Sequence, residues 1–335
     1  MRKANTKILT LVLAVCMVVS LVACGSPQSA ESTSSSSYSS DDVESSSVEP
    51  SVSDGESESA ASKGGFKIAL SNSFIGNAWR SEMIKCFEAT CRQKVESGEI
   101  SEFYSSSSGN DAQAQINEIR NMISKGYDAI LVDAASPTAL APICEEAVSR
   151  GIVVASFDNT VDSDKIYNVN CDQVESGRIK AQFIVDQMNG KGNVIIISGI
   201  EGTTYSRDHQ KGNMEVLQPY IDKGDINLLG IGYGGWDEAS VAVEINNMLA
   251  AYKSKGIDGI INEGQGEVAI YNALVQNNID PTTIPIAGEY TNGFLRLIKD
   301  EGINGLAVGD PPYMVGTAVE IVLKVLKGET AEKMT

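Results

Sequence analysis

From Phe66 onward the chain alternates between short apolar runs and longer stretches in which apolar residues recur every three or four positions. The short runs, rich in Val and Ile and bounded by Gly, Asp or Asn, read as buried strands. A first set comprises Phe66–Leu70, Glu102–Tyr104, Ala129–Val132, Val153–Ser156 and Ile166–Val169. A second comprises Val194–Ser198, Ile226–Ile231, Gly259–Ile261, Ile284–Ala287 and Gly305–Val308. Helical period runs through Ala112–Ser124, with Ile116, Ile119, Met122 and Ile123 on one face. It recurs over Thr138–Ser149, Ser176–Met188, Glu238–Tyr252, Val268–Gln276 and Met314–Leu326, and the segment that opens at Trp79 has the same character. Strands joined by helices form parallel sheets covered on both faces. The likeness of the two sets points to an α/β fold with two doubly wound parallel-sheet lobes joined by a hinge. In such lobes ligands sit at the carboxyl ends of the strands.

The first residues break this pattern. Arg2, Lys3 and Lys7 precede an almost continuous apolar run, Ile8–Ala23, which ends in Leu21-Val22-Ala23-Cys24-Gly25. Sixteen helical residues reach only ~24 Å, short of a ~30 Å bilayer core, so residues 1–23 read as a signal peptide rather than a span. Residues 25–65 are Ser-rich, with Glu31, Asp41, Asp42, Glu44, Glu49, Asp54, Glu56 and Glu58 against Lys63. Such a tract cannot bury enough apolar surface to offset its ordering entropy, and its charge keeps it extended. Residues 24–65 are therefore expected to be a disordered tether. At the other end the chain stops at Thr335, just after Lys327-Gly328-Glu329 closes a helix; a further strand or two is expected there, and the sequence reads as a fragment.

Length and charge narrow the function. A chain of 335 residues suits two domains, and 42% hydrophobic content is that of a globular body. The net charge of −18 argues against nucleic acid as a partner, which needs clustered Lys and Arg. Cys86, Cys91, Cys144 and Cys171 fall in the body with no CxxC and only one histidine, His209, so a metal site is not expected. Cys86 and Cys91, five residues apart on one helix, lie about 140° apart around its axis, and all four are expected as buried free thiols.

The strand ends carry the candidate chemistry. The first is followed by Asn77, Trp79 and Arg80; the fourth by Asp158 and Asn159. In the second set the ends carry Arg207, Trp236, Gln265, Glu289, Asn292 and Asp310. Indoles can stack on the C–H faces of a sugar ring, carboxylates accept from hydroxyls, Arg donates, and amides do both. Each residue also has a structural alternative: the two Trp as caps on their cores, Asp158 and Asp310 as turn or cap residues, Asn77 as a turn residue, Arg207 on a solvated helix face. His209 is expected on the surface of the helix after Arg207. Two arginines leave room for an acidic sugar or a cyclitol as well as a neutral one. Gly230-Ile231-Gly232-Tyr233-Gly234-Gly235 fits GxGxxG, but Trp236 directly follows it where a helix would have to approach pyrophosphate, so turn glycines are the preferred reading and no cofactor is expected. Asp158 and Asp310 could alternatively form a glycosidase pair.

The motifs GNAWR, ASFDN, GIEGTTYSRD, GWDEA, NEGQGEVAI, AGEYTNGF and VGDPPYMVG, over about Phe66 to Lys327, resemble the type I periplasmic binding proteins, the ribose-binding-like sugar-binding components of bacterial ABC importers. The resemblance implies a non-enzymatic receptor that captures a monosaccharide or related polyol by hinge closure and delivers it to ABC permease subunits. A sensor for a chemotaxis or histidine-kinase system is the alternative. It implies lobes 66–170 plus 311–335 and 171–310, with Met314–Leu326 packed on the first. Asn77 and Trp79 match an asparagine and a stacking aromatic of the family, while Arg80 replaces a second aromatic. Asp158 matches a hydroxyl-binding acid, and Asn159 stands where ribose binders have arginine. Arg207 and Trp236 match a second-lobe arginine and stacking aromatic, so that the two indoles are expected as the flat jaws of the cleft. Gln265 matches an amide position. Asp310 falls at a common glutamine and Tyr290 at a common aspartate, for which Glu289 or Asn292 could substitute. Residues 21–25 resemble a bacterial lipoprotein box, implying acylation of Cys24 and a monomer anchored in the cell membrane on its extracytoplasmic side.

Overall fold

The computed structural model describes residues 64–332. The signal segment, Cys24 and nearly all of the acidic tether lie outside the described residues. Two five-stranded, wholly parallel sheets form the body. The first holds β1 (Phe66–Asn72), β2 (Ile100–Ser107), β3 (Ala129–Asp133), β4 (Val153–Phe157) and β5 (Tyr167–Val169) in the order β2-β1-β3-β4-β5. The second holds β6 (Gly192–Ser198), β7 (Ile226–Tyr233), β8 (Gly259–Asn262), β9 (Ile286–Glu289) and β10 (Gly305–Val308) in the order β10-β9-β8-β6-β7. Counted from its own first strand, the second sheet repeats the order of the first. Both therefore reverse direction of winding beside their first strand, and each leaves a crevice there.

The helices are α1 (Ala78–Glu96), α2 (Ala112–Ser124), α3 (Ala141–Ser149), α4 (Gln173–Gln187), α5 (Thr204–Asp222), α6 (Glu238–Ala251), α7 (Glu267–Gln276), α8 (Asn292–Asp300) and α9 (Met314–Leu326). Their starts follow local chemistry. Asn77, Asp111, Asp172, Thr203, Asp237 and Thr291 each accept a backbone N–H of the first turn. The central strands are buried on both sides because a cluster lies on each face. On the first sheet, Ile68, Leu70 and Leu131 pack with Met83 and Phe87 of α1 and Val315, Val319 and Val322 of α9, while Ile130 and Val132 face Ile119, Met122 and Ile143. On the second, Ile195 and Ile197 face Ile245 and Ile270, and Ile196 and Ile261 face Ala181, Ile184 and Leu217. The chain thus passes from the first sheet to the second before α4 and returns after β10, with α9 on the first.

The GxGxxG segment has a packing explanation. A Cβ at Gly230, Gly232 or Gly234 would run into Tyr252, Glu244 or Val241, so β7 lies hard against α6. Only Gly235 has a positive φ, at 61°. Cys91 and Cys144 are buried and Cys86 and Cys171 half-buried, all with free thiols. Among the described residues no helix is long and apolar enough to cross a membrane.

Candidate functional site

The first lobe's contribution is set by the turn after β1. Asn77 caps α1 by accepting from the Arg80 N–H at 2.8 Å, which fixes Trp79 and Arg80 in the first helical turn. Arg80 points inward and is 2% exposed. Its guanidinium donates to Asn72 Oδ1 at 3.0 Å and Asp158 Oδ2 at 3.0 Å, and it pairs with Asp133. The rings of Phe74 and Trp79 lie 5.0 and 5.3 Å from its Cζ. Burial pulls the Arg80 pKa down, opposed by the charges of Asp158 and Asp310. Asp158, at the end of β4, holds a left-handed φ of 56°, a strained conformation for aspartate. The Asn159 amide donates to Asp158 Oδ2 at 2.8 Å and Asp133 Oδ1 at 3.4 Å.

The second lobe presents one large ring. Trp236, just past β7, also adopts a left-handed φ, 57°. Its indole lies over Gly199 and Gly264 at the ends of β6 and β8, where any Cβ would occupy the space of the ring. Tyr205 meets it edge-on, with centroids 5.5 Å apart at 84°. The Tyr205 hydroxyl donates to Glu289 Oε1 at 2.7 Å, and so does the ammonium of Lys180 at 2.7 Å, which also donates to the Asn262 carbonyl at 3.2 Å. Beneath these groups lie two buried acids. Glu263 is bonded by Ser198 and by Asn213 at 2.7 Å; Glu267 accepts from Asn262 at 2.9 Å and from the Glu289 N–H at 2.7 Å. Burial pushes both carboxyls up to about 7 against those hydrogen bonds.

The two sets meet. The Phe74 and Trp236 rings lie nearly parallel, 6.4 Å between centroids and 11° between planes. Asn77 Nδ2 donates to the Trp236 carbonyl at 3.3 Å, and Trp79 Nε1 to the Asp310 carbonyl at 2.7 Å. The Asp158 and Asp310 carboxyls act on one another electrostatically, and Gln173 Nε2 donates to Asp310 Oδ1 at 3.3 Å. Burial raises the Asp158 pKa despite Arg80; burial, then Asp158 and Glu289, drive Asp310 well above the carboxylate range. At the rim, the Thr160 N–H donates to Thr204 Oγ1 at 2.8 Å, and Arg207 pairs with Asp162 at 3.4 Å. Asn159 Oδ1, Gln173 Oε1 and Trp236 Nε1 are buried with no partner. Among the described residues no three His, Cys, Asp or Glu side chains are arranged to hold a metal ion. The seam therefore offers aromatic faces, carboxyl acceptors and buried amides, the means to hold a small polar ring by stacking and directed hydrogen bonds.

The structure gathers Asn77, Trp79, Arg80, Asp158, Asn159, Trp236, Glu289 and Asp310 at this seam. Gln265 is half-buried beside Gly264, and Asn292 is exposed at the start of α8. Several expectations are corrected. The ring parallel to Trp236 is Phe74, because Trp79 turns its indole N–H to the Asp310 carbonyl and packs on the α1–α9 core. Arg207 is exposed, held at the rim by Asp162 and Asp208 rather than directed inward. Arg80 is paired to Asp133 and Asp158. His209 is 1% exposed, not on the surface: it lies one turn beyond Tyr205 on the inner face of α5 and stacks on that ring at 4.3 Å. Burial, and secondarily Lys180, pull its pKa well below the ordinary value, so it is neutral.

Phe74, Asp133, Gln173, Lys180 and Tyr205 were not singled out from the sequence. Asp133 was legible as an acid ending an apolar strand. Lys180 was legible as a lysine on the apolar stripe of Gly177, Ala181 and Ile184. Phe74 and Tyr205 sit one loop or one turn past strand ends, and nothing local marks their direction.

Known proteins frame this arrangement. The chain is 29% identical over 242 residues to the D-xylose-binding periplasmic protein of Escherichia coli, a match covering 71% of this chain and 72% of that protein. It is 28% identical over 217 residues to the xylitol-binding protein of Mycolicibacterium smegmatis, covering 64% of this chain but 57% of that protein. Among solved structures, an ABC transporter solute binding protein from Thermobispora bispora superposes with a TM-score of 0.72 at 26% identity, covering 79% of this chain and 81% of that one. The model of the periplasmic binding protein domain matches residues 68–330, spanning both sheets and the seam between them, and the chain belongs to that family.

Proposed function

We propose that this chain is an extracytoplasmic solute-binding protein that takes up a monosaccharide or related polyol between its lobes and presents it to an ABC permease. The observation that carries this reading is the nearly parallel pair Phe74 and Trp236, one from each lobe, beside hydrogen-bonding groups also drawn from both. A ligand held by both lobes binds the closed arrangement more tightly than the open one and shifts the population toward it. The segments near Cys171–Asp172 and Asp310–Pro312, where the chain changes sheets, serve as the hinge. Asp158 and Glu289 accept ligand hydroxyls, and Asn159 and Trp236 supply a buried acceptor and donor that have no protein partner. Family membership and the sugar- and polyol-binding relatives support the ligand class. Export and acylation of Cys24 hold the body at the outer face of the cell membrane.

The test uses the chain's two tryptophans, both of which lie at this seam. Titration with pentoses, hexoses, inositols and alditols should change their emission for at least one compound, with calorimetry giving the affinity. Trp236→Ala removes a stacking face and should weaken that compound by at least tenfold, about 1.4 kcal/mol. A full panel without binding, or unchanged affinity in the variant, would refute the reading.

A further inference from the structure

One ring ties together the two kinds of contact that the second lobe offers a ligand. Tyr205 is 5% exposed in the first turn of α5, where the Thr203 hydroxyl caps the helix by accepting from the Ser206 N–H at 3.3 Å. Its ring meets Trp236, delivered just past β7, edge-on with centroids 5.5 Å apart. Its hydroxyl donates at 2.7 Å to Glu289 Oε1, delivered by the last residue of β9.

The ring has little freedom of its own. His209, one turn further along α5, stacks against it with centroids 4.3 Å apart and 27° between planes. The turn that carries His209 is fixed by the packing of α5 on α4. A Cβ at Gly177 would run into the His209 carbonyl, and one at Gly212 into that of Val174, so the two helices touch backbone to backbone. The same helix pair supplies Lys180, from α4, so both donors to Glu289 Oε1 come from one packed unit. The Glu289 main chain is held too, its N–H donating to Glu267 Oε1 at 2.7 Å. Lys180 brings the countercharge, but an ammonium on a flexible stem imposes little direction; the phenol on its clamped ring imposes one. With two donors on Oε1, it is Oε2 that a ligand hydroxyl can reach.

We infer that Tyr205 is the positioning residue that sets the selectivity of the cleft among stereoisomers, by fixing the Glu289 carboxylate relative to the Trp236 face. This rests on the reading of the cleft as a site for a hydroxylated ring and adds how that site tells one ring from another. Stacking recognises an apolar face. Discrimination between stereoisomers needs an acceptor held at a set distance from that face. A ring stacked on Trp236 then satisfies Glu289 only if one hydroxyl points the right way, and a misplaced hydroxyl leaves the carboxylate short of a donor. Tyr205 acts here through its two neighbours and touches no ligand atom.

The purified protein and Tyr205→Phe are titrated calorimetrically with the pentoses, hexoses, inositols and alditols above, and with the monodeoxy analogues of the tightest compound. The unaltered protein should separate that compound from at least one epimer by about tenfold or more. Tyr205→Phe keeps the ring against Trp236 and His209 and removes only the O–H. It should bind the tightest compound about fivefold or more weakly and that epimer within about twofold of the unaltered protein, so the ratio between them narrows. For one monodeoxy analogue, the one lacking the hydroxyl that meets Glu289, the two proteins should bind alike within about twofold, because the coupled partner is gone. Epimers bound equally by the unaltered protein would overturn the inference. So would an unchanged affinity in Tyr205→Phe, or equal weakening for every stereoisomer and every monodeoxy analogue, the mark of a merely structural role. Each of these leaves the monosaccharide reading standing. Binding of no compound by the unaltered protein would defeat both.

Discussion

Removal of one buried charge tests the electrostatic account of the second lobe. Lys180 is fully buried in α4 and lies 2.7 Å from Glu289 Oε1. Lys180→Met keeps the length and apolar stem of the side chain but leaves the Glu289 carboxylate with only the Tyr205 hydroxyl, close to Asp158 and Asp310. Breaking a buried pair from one side costs about 3–5 kcal/mol, most of it for the uncompensated charge. For a body of this size that is a fall in Tm of about 2–4 °C per kcal/mol. Lys180→Met combined with Glu289→Gln removes the charge as well, and the Gln oxygen can still accept from Tyr205. The double variant should therefore regain at least ~2 kcal/mol, a coupling characteristic of residues in contact. Urea unfolding followed by tryptophan emission measures all three variants. A Lys180→Met cost below ~1 kcal/mol, or a double variant no more stable than Lys180→Met alone, would show that the pair does not carry the charge balance described.

Gly199→Ala places a methyl in the volume of the Trp236 ring; the indole should shift, its emission change, and affinity for the cognate ligand fall at least tenfold, about 1.4 kcal/mol, whereas Gly224→Ala, where a Cβ meets open space, should leave binding unchanged. Glu263 and Glu267 titrate near 7 when folded and near 4.3 when unfolded. The unfolded chain then binds fewer protons between those values, so stability falls as pH rises from about 5 to 7.5; melting curves across that range should show the decline, and Glu263→Gln should reduce it. Native-state alkylation should reach the half-buried Cys86 before the buried Cys91 and Cys144, whose burial raises them to about 12; peptide mass spectrometry gives the order, and equal labelling would contradict the packing.

The architecture was legible because both periodicities are strong. All ten strands fall where the apolar runs place them, and α2 and α9 match residue for residue. The helix α8 was missed since its apolar residues, Phe294, Leu295, Leu297 and Ile298, crowd into nine positions. The seam was legible wherever a strand end delivers a side chain directly, as at Asp158, Glu289 and Asp310. It was illegible where direction depends on the partner lobe. Trp79 and Phe74 are separated by four residues, and only the Asp310 carbonyl decides which ring faces Trp236. Arg207 and Tyr205 share the first turn of α5, two residues apart and thus on opposite sides, so a wrong choice of inward face also misplaced His209.

The return of the chain to the first sheet bears on how the molecule is made. Met314, Val315, Ala318, Val319, Val322 and Leu323 of α9 complete the cluster over Ile68 and Leu70. The second sheet is continuous in sequence from β6 to β10, so its core can close without help from distant segments. During synthesis from the amino end, the half that begins first must finish last, its apolar face bare until some two hundred and fifty residues later. Whatever escorts the nascent polypeptide must shield that early surface throughout.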